Sequence, residues 1–211
     1  MGLGAFPSSS KLFLGMLGMH GTYEANMCMH DCDLMINIGA RFDDRITGRL
    51  DKFSPKSKKI HIDIDPSSIN KNVYVDISII GDASKILRKI NSYLKKKKFK
   101  GKNFTNDKWW KQVEKWKQKN CLSFKKSSKV IKPQHALFAL NSKIINKDYY
   151  ITTEVGQHQM WAAQYIKFEK PKRWMTSGGL GTMGYGFPAS IGVQIANPKS
   201  FILETSSLSF T

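Results

Sequence analysis

Apolar residues fall along this chain in short runs, each closed by a glycine, a proline or an acid, and the runs alternate with stretches of helical spacing. Residues 33–39 read as a buried strand ending at Gly39, and residues 59–66 alternate β-branched apolar with polar positions until Pro66 stops them. Residues 73–80 form another β-rich run, closed by Gly81, Asp82 and Ala83; residues 149–153 form one more, ahead of a polar turn, and Phe201, Ile202 and Leu203 the last. Residues 12–19, apolar with two interposed glycines, predict a strand that His20, Gly21 and Thr22 turn into a helix from Tyr23. Helical spacing recurs at 84–94, where Ile86, Leu87, Ile90 and Leu94 make one stripe, at 107–119, where Trp109, Val113 and Trp116 make another, and at 134–140. Residues 189–196 are small and apolar on most faces and predict a buried helix ended by Asn197 and Pro198. Strands alternating with helices of this size imply an α/β fold with parallel sheets.

In open parallel sheets ligands bind past the carboxyl ends of the strands. Arg41, Asp43, Asp44 and Arg45 stand just past one such end and Asp63 and Asp65 at another, where carboxylates can cap helices, pair with the arginines or face a ligand. The stretch from Ser177 to Pro188 holds five of the sixteen glycines within twelve residues, a density that marks backbone at φ > 0 or in close approach to something else. A glycine-rich turn entering a helix suits phosphate, because its N–H groups point outward. Upstream, Glu154-Val155-Gly156-Gln157-His158-Gln159-Met160-Trp161 follows the strand as a second polar cluster. An ordinary tight loop and an ordinary histidine would also explain either cluster by itself.

The 211 residues are 41% hydrophobic, enough for one or two domains with a core, and no apolar run is long enough to span a membrane. The net charge of +18 raises the question of nucleic acid. Its densest run, Lys95 to Lys98 with Lys100 and Lys102, followed by Lys108, Lys111, Lys115, Lys117 and Lys119, suits a solvated linker and the outer face of a helix docked by its tryptophan stripe better than a base-stacking surface. Three cysteines, Cys28, Cys32 and Cys121, suit a reducing compartment; Cys28 and Cys32, at i and i+4 with only His30 between them, read as helix thiols rather than a zinc site. The first seven residues lack the basic region of a signal peptide.

Val-Gly-Gln-His-Gln-Met-Trp at 155–161 and Ser-Gly-Gly-Leu-Gly-Thr-Met-Gly at 177–184, at this spacing, resemble the thiamine-diphosphate-dependent acetohydroxyacid synthase (acetolactate synthase) catalytic large-subunit family. Gly-Leu-Gly-Ala-Phe-Pro at 2–7 and Leu-Gly-Met-Leu-Gly-Met-His-Gly-Thr at 14–22 resemble internal words of the same family, so the chain is expected to begin partway through the enzyme. The resemblance implies a partial, Rossmann-like FAD-binding central domain at 1–94, a basic linker with a docked helix at 95–128, and the truncated start of a thiamine-diphosphate-binding α/β domain at 129–211. Carried over by position, it places Val155, Gly156, Gln157 and His158 near the cofactor diphosphate. Gly181 and Met183 fall beside the pyrimidine, with Met183 wedging the bent cofactor. His20, Gly21, Gly39, Arg41, Asp43, Arg45, Asp63, Ile64, Asp82 and Ala83 match contacts to FAD, and Gln159, Met160 and Gly178 lie toward the flavin.

The implied reaction is decarboxylation of pyruvate and condensation with a second 2-keto acid, pyruvate or 2-ketobutyrate, in branched-chain amino acid biosynthesis, with FAD bound but not used as an oxidant. The implied partners are small 2-keto acids, further copies in a homodimer or tetramer, and a regulatory small subunit; nucleic acid and membrane are not expected, and a bacterial cytoplasm is, with an organelle as the alternative. The chain departs from the family at two places. The activating glutamate belongs to an N-terminal domain, so no catalytic residue is expected here. The magnesium motif that should follow residues 201–203 is replaced by Glu204-Thr205-Ser206-Ser207-Leu208-Ser209-Phe210-Thr211, so no metal ligand is expected either. A truncated or frame-shifted copy, inactive and colourless as it stands, is the expectation from these departures; an inactive remnant and a basic nucleic-acid-binding module are the alternatives.

Overall fold

The computed structural model describes residues 2–98 and 108–206, which pack as two compact units, residues 17–121 and residues 1–16 with 122–211. Both units are layered α/β with an all-parallel sheet.

In the 17–121 unit, α1 (Tyr23–Asp31) starts where the Thr22 hydroxyl accepts from the Ala25 N–H at 3.2 Å. Three strands follow, β1 (Leu34–Ile38), β2 (Lys58–Asp63) and β3 (Ile77–Ile80), in the order β1-β2-β3, with Ile36 opposite Ile60 and Ile60 opposite Ile77. The short α2 (Asp44–Thr47) lies beyond β1, and α3 (Ala83–Lys96) beyond β3, capped by Asp82 accepting from the Lys85 N–H at 2.8 Å. The middle strand is the best buried, ending in His61, Ile62 and Asp63, and Phe42 sets its ring edge-on to both Phe53 (5.8 Å) and His61 (5.1 Å). The tryptophan stripe lies on α4 (Lys108–Lys117), which packs against α1 and buries Val113 and Trp116. The Lys119 ammonium sits 4.4 Å from the centre of the Tyr23 ring.

In the other unit β4 (Tyr149–Thr153) is central, flanked by β5 (Trp174–Thr176) and β6 (Phe201–Thr205) in the order β5-β4-β6. Pro133 occupies the first turn of α5 (Pro133–Ile144), where its missing N–H costs nothing. With α6 (Gln157–Tyr165) and α7 (Gly186–Ala196), this helix packs on the sheet around Leu137, Ile144, Tyr149, Ile151, Ala162, Ile166, Phe168 and Trp174. Residues 1–16 are stitched to this unit. Ser8 donates its N–H (3.1 Å) and hydroxyl (3.0 Å) to the Phe168 carbonyl, and Ser9 donates its N–H and hydroxyl to the Glu169 carboxylate.

Several expectations are corrected. Residues 12–19 form no strand: Gly15 and Gly18 have φ of 94° and 84°, and the Asn26 amide clasps Gly18, accepting from its N–H at 2.7 Å and donating to its carbonyl at 2.9 Å. By packing, the Ser8 and Ser9 contacts join residues 1–16 to the later unit, and the buried Val113 and Trp116 lie on α4 in the earlier one. The strand at 33–39 is open along one face, where Leu34, Ile36 and Ile38 are exposed, and α7 exposes Phe187, Ile191 and Ile195 instead of being buried, since no described residue covers those faces. The polar turn after β4 is the helix α6, and β5 was not foreseen.

Cys28 lies within α1 and Cys32 at its C-cap, both half-buried. Partial burial, with the neighbouring Cys32 and Glu24 adding to it, pushes the Cys28 thiol up to about 11 from 9.0. At pH 8 its thiolate fraction is then about a hundredfold below that of an unperturbed cysteine, and alkylation by iodoacetamide is expected to be slower by about that factor. Peptide mapping of a time course checks this; modification of Cys28 at an ordinary rate refutes it.

Candidate functional site

The strand ends of the later unit carry the two sequence motifs. At the end of β4, Thr153 is fully buried and its hydroxyl meets that of Thr176, at the end of β5, at 2.6 Å; the Gln159 amide donates to the same Thr176 hydroxyl at 2.6 Å. This ladder ties α6 to two strands and fixes where the helix begins. Gly156 makes the corner with φ 152° and ψ −167°, a conformation open essentially to glycine, and no side chain caps the N–H groups that follow. Val155, Gly156, Gln157 and His158 are thereby brought together at the α6 start. Both ring nitrogens of His158 are shielded from water with no hydrogen-bond partner among the described residues.

The glycine stretch lies beside them. The Ser177 carbonyl accepts from the Gly181 N–H (3.1 Å) and its hydroxyl from the Thr182 N–H (2.8 Å), so Ser177 organises the first half of the loop. Gly181, at φ 65°, comes so near Val155 that an added Cβ would stand 3.7 Å from its Cγ1. Leu180 and Met183 project outward, 95% and 71% exposed. Gly178 lies at the start of the same loop, and Gln159 and Met160 on α6. In the second half of the loop the Glu154 carboxylate accepts from the Gly184 N–H at 2.8 Å and the Gly186 N–H at 2.5 Å. The α7 start, where the glycine density suggested an outward-facing phosphate cradle, is therefore filled by the protein's own carboxylate.

A thiamine diphosphate fits this donor set at its diphosphate end: uncapped N–H groups at a helix start, and a histidine whose nitrogens lack partners. Magnesium does not. Among the described residues no three His, Cys, Asp or Glu groups come together as a metal site. Glu204, at the end of β6, has one carboxylate oxygen buried without a partner and the other accepting from the Ser206 hydroxyl at 3.1 Å. The tail from Ser207 to Thr211 lies outside the described residues.

In the 17–121 unit the structure gathers most of the second residue set along the carboxyl edge of its sheet. The Gly39 N–H donates to the Ile62 carbonyl and the Gly81 N–H to the Asp63 carbonyl, continuing the ladder past each strand. Arg41 pairs with Asp43 at 2.9 Å, both partly exposed, and Arg45 with Asp44 at 3.7 Å. Asp63, buried, accepts from the Asp65 N–H at 2.9 Å and lies 3.5 Å from His61; Ile64 is exposed, and Asp82 is spent on capping α3 ahead of Ala83. Gly21 donates to the Gly18 carbonyl beside His20, and Arg45 with Met19 lines a cleft of about 480 Å³ next to α1. Exposed Arg41, and Gly39, where an added Cβ meets only open space, suit a diphosphate approaching this edge.

Two functional features escaped the sequence. Glu154 was visible in its polar cluster, yet its partners stand thirty residues on, and nothing local pairs an acid with a distant glycine N–H. The Thr153, Thr176 and Gln159 ladder was hidden because β5 is only three residues long.

Two family descriptions match the chain: thiamine pyrophosphate enzyme, central domain, over residues 1–90, and thiamine pyrophosphate enzyme, C-terminal TPP binding domain, over residues 154–206. Along 203 residues, 96% of the chain, it is 49% identical to the acetolactate synthase large subunit of Haemophilus influenzae and 48% identical to the acetolactate synthase isozyme 3 large subunit of Escherichia coli K12, covering 35% of each. The acetolactate synthase large subunit of Porphyra purpurea is 45% identical over 98% of the chain, which covers 34% of it. The chain thus spans about a third of the length of the curated relatives it matches. With both of its matched regions in thiamine pyrophosphate enzymes and nearly its whole length aligned to these subunits, the chain belongs to the acetolactate synthase large-subunit family.

Proposed function

We propose that this chain supplies the thiamine-diphosphate-binding edge and part of the FAD-binding domain of an acetolactate synthase, which decarboxylates pyruvate and condenses it with a second pyruvate or with 2-ketobutyrate. The observation that carries this reading is the meeting of the uncapped α6 start with the Gly181 turn, Val155 bridging the two. When bound, thiamine diphosphate supplies the thiazolium at which the keto acid reacts. The chain's own part is to hold and orient it. The N–H groups after Gly156, with His158, would take the diphosphate, and Met183, exposed on the loop, would press between the two rings and hold the bent shape. No step is assigned to magnesium. Residues 1–94 are proposed to belong to the FAD-binding domain and 129–211 to the thiamine-diphosphate domain, joined by 95–128. At the flavin edge Arg41 and Arg45 would offset the diphosphate, and Asp63 or the Asp82 oxygen not engaged in the α3 cap would accept from ribose hydroxyls. FAD is read as structural, not as an oxidant.

The relatives lead to the further proposal of a cytoplasmic enzyme with 2-keto acid substrates, working as a homodimer or tetramer with a regulatory subunit. Among the described residues no helix is long and apolar enough to cross a membrane. The nucleic-acid alternative loses Trp116, which is buried on α4, while Trp109 stays exposed.

The test is titration of thiamine diphosphate into the purified chain, followed by tryptophan fluorescence. Saturable quenching is expected, and His158→Ala should weaken binding by about tenfold or more, the loss of a hydrogen bond to a charged group. Equal affinity in the variant, or no saturable binding at all, would refute the assignment.

A further inference from the structure

We propose that Glu154 is a positioning residue: its carboxylate clamps the Gly184 to Gly186 segment onto the end of β4 and so sets the distance between the cofactor-facing glycine loop and the α6 start. The proposal rests on the functional reading above only for what the loop faces. The clamp itself stands on geometry. The backbone of Glu154 is fixed first, its N–H donating to the Thr205 carbonyl at 3.0 Å, so the residue is pinned to the end of β6 as well as belonging to β4's exit. Its two carboxylate oxygens then take separate donors, Gly184 N–H on one and Gly186 N–H on the other, at 2.8 and 2.5 Å. Between strand end and helix start there is no room for anything else: a Cβ on Gly186 would stand 2.6 Å from the Glu154 nitrogen. One residue further on, Val155 lies beside the Gly181 turn, where an added Cβ would stand 3.7 Å from its Cγ1.

Two consequences follow. Met183 precedes the first clamped N–H by one residue, so the loop is anchored immediately beside the side chain proposed to wedge the cofactor. A negative charge already lies at the α7 start, so a second anion is disfavoured there and is directed to the uncapped α6 start. Glu154 thereby decides which of two neighbouring helix starts receives the diphosphate. Burial works against its charged form, yet the N–H groups of Gly184, Gly186, Phe187 and Tyr185 outweigh this and hold the carboxyl below its ordinary 4.5.

Amide hydrogen exchange on the full chain tests the clamp without any cofactor. In Glu154→Ala the Gly184 and Gly186 amides should exchange at least about tenfold faster, while those of β4 and β5 keep their protection. Glu154→Gln, which retains one neutral acceptor, should fall between and covers the case in which the alanine variant does not fold. A group whose folded pKa is depressed contributes above its ordinary value and is lost below it. Protection at these two amides should therefore be full above about pH 4.5 and decline beneath it in the native chain, after correction for intrinsic exchange, and show no such decline in Glu154→Gln. Unchanged exchange, or a uniform increase throughout the unit, would overturn the clamp. Thiamine diphosphate, titrated into the same proteins, should bind at least about tenfold more weakly to Glu154→Ala. Equal binding would overturn the positioning role. If the native chain binds none, the reading of the site falls and the exchange data still decide the clamp.

Discussion

Phe168→Ala is expected to destabilise the unit of residues 1–16 and 122–211 by about 3–5 kcal/mol, the range for removing a buried phenylalanine ring. The ring is 1% exposed and lies against Trp174, edge-on at 5.5 Å, and against Tyr149 at 6.1 Å. Tyr149 is itself buried, with its hydroxyl hydrogen-bonded to the Lys167 carbonyl, so the three aromatics and that carbonyl share one wall of the core and cannot close over the gap independently. The backbone of Phe168 also receives Ser8. Loss of the ring should therefore loosen the N-terminal residues along with the core. Urea unfolding followed by near-ultraviolet circular dichroism measures the first effect, and proteolytic release of residues 1–16 the second. A loss below about 1 kcal/mol, the scale of a surface substitution, would refute the packing.

Fold class was legible because both sheets write themselves as short β-rich runs separated by helical spacing. Residues 149–153 and 33–39 returned as β4 and β1 within a residue or so, and of the stripe Trp109, Val113 and Trp116 the last two are buried on α4 while Trp109 stays exposed. The failures have a common physical form. Residues 12–19 have strand composition, but two of them are glycines at positive φ, and the Asn26 clasp that fixes Gly18 comes from a helix the local pattern cannot see. The start of α6 was read as a turn because Gly156 and three polar residues conceal it; its apolar content begins only at Met160. Burial was over-read for β1 and α7, whose apolar residues signal that a face is meant to be covered without saying by what.

The site divides the same way. Residues consecutive in sequence, such as Val155 to His158, were legible as a group because one helix start collects them. Contacts made across the sheet were not. The use of Glu154, the pairing of Thr153 with Thr176 and the approach of Gly181 to Val155 all join segments more than twenty residues apart, and each depends on β5 and β6 lying on either side of β4. The first unit's edge shows the complementary limit. Composition identified Arg41, Asp43, Asp63 and Asp82 as past the strand ends, but only the structure tells that Asp82 is occupied with the α3 cap and Arg41 with Asp43.

Gly186→Ala puts the glycine loop to the sharpest test, because two effects of opposite sign compete at one atom. Gly186 opens α7, and alanine gains up to about 1 kcal/mol over glycine in a helix interior. Against that, the new methyl would stand 2.6 Å from the Glu154 nitrogen, 2.7 Å from the Thr153 carbonyl carbon and 2.8 Å from a Glu204 carboxylate oxygen. The first two are backbone at the end of the central strand and have no rotamer by which to retreat. Overpacking against immobile atoms costs about 1–3 kcal/mol and sometimes more, so destabilisation should win, with a net loss of about 2 kcal/mol. For a unit of this size that is a fall of roughly 10 °C in Tm. Gly179 is the internal control: a Cβ there meets nothing within 4 Å and its φ is not in the left-handed region, so Gly179→Ala should leave Tm unchanged or slightly raised. Moving α7 off β4 also draws the Gly186 N–H away from Glu154, so affinity for thiamine diphosphate should fall in Gly186→Ala and hold in Gly179→Ala. Equal melting temperatures for the two variants would show that the α7 start does not sit on the strand end.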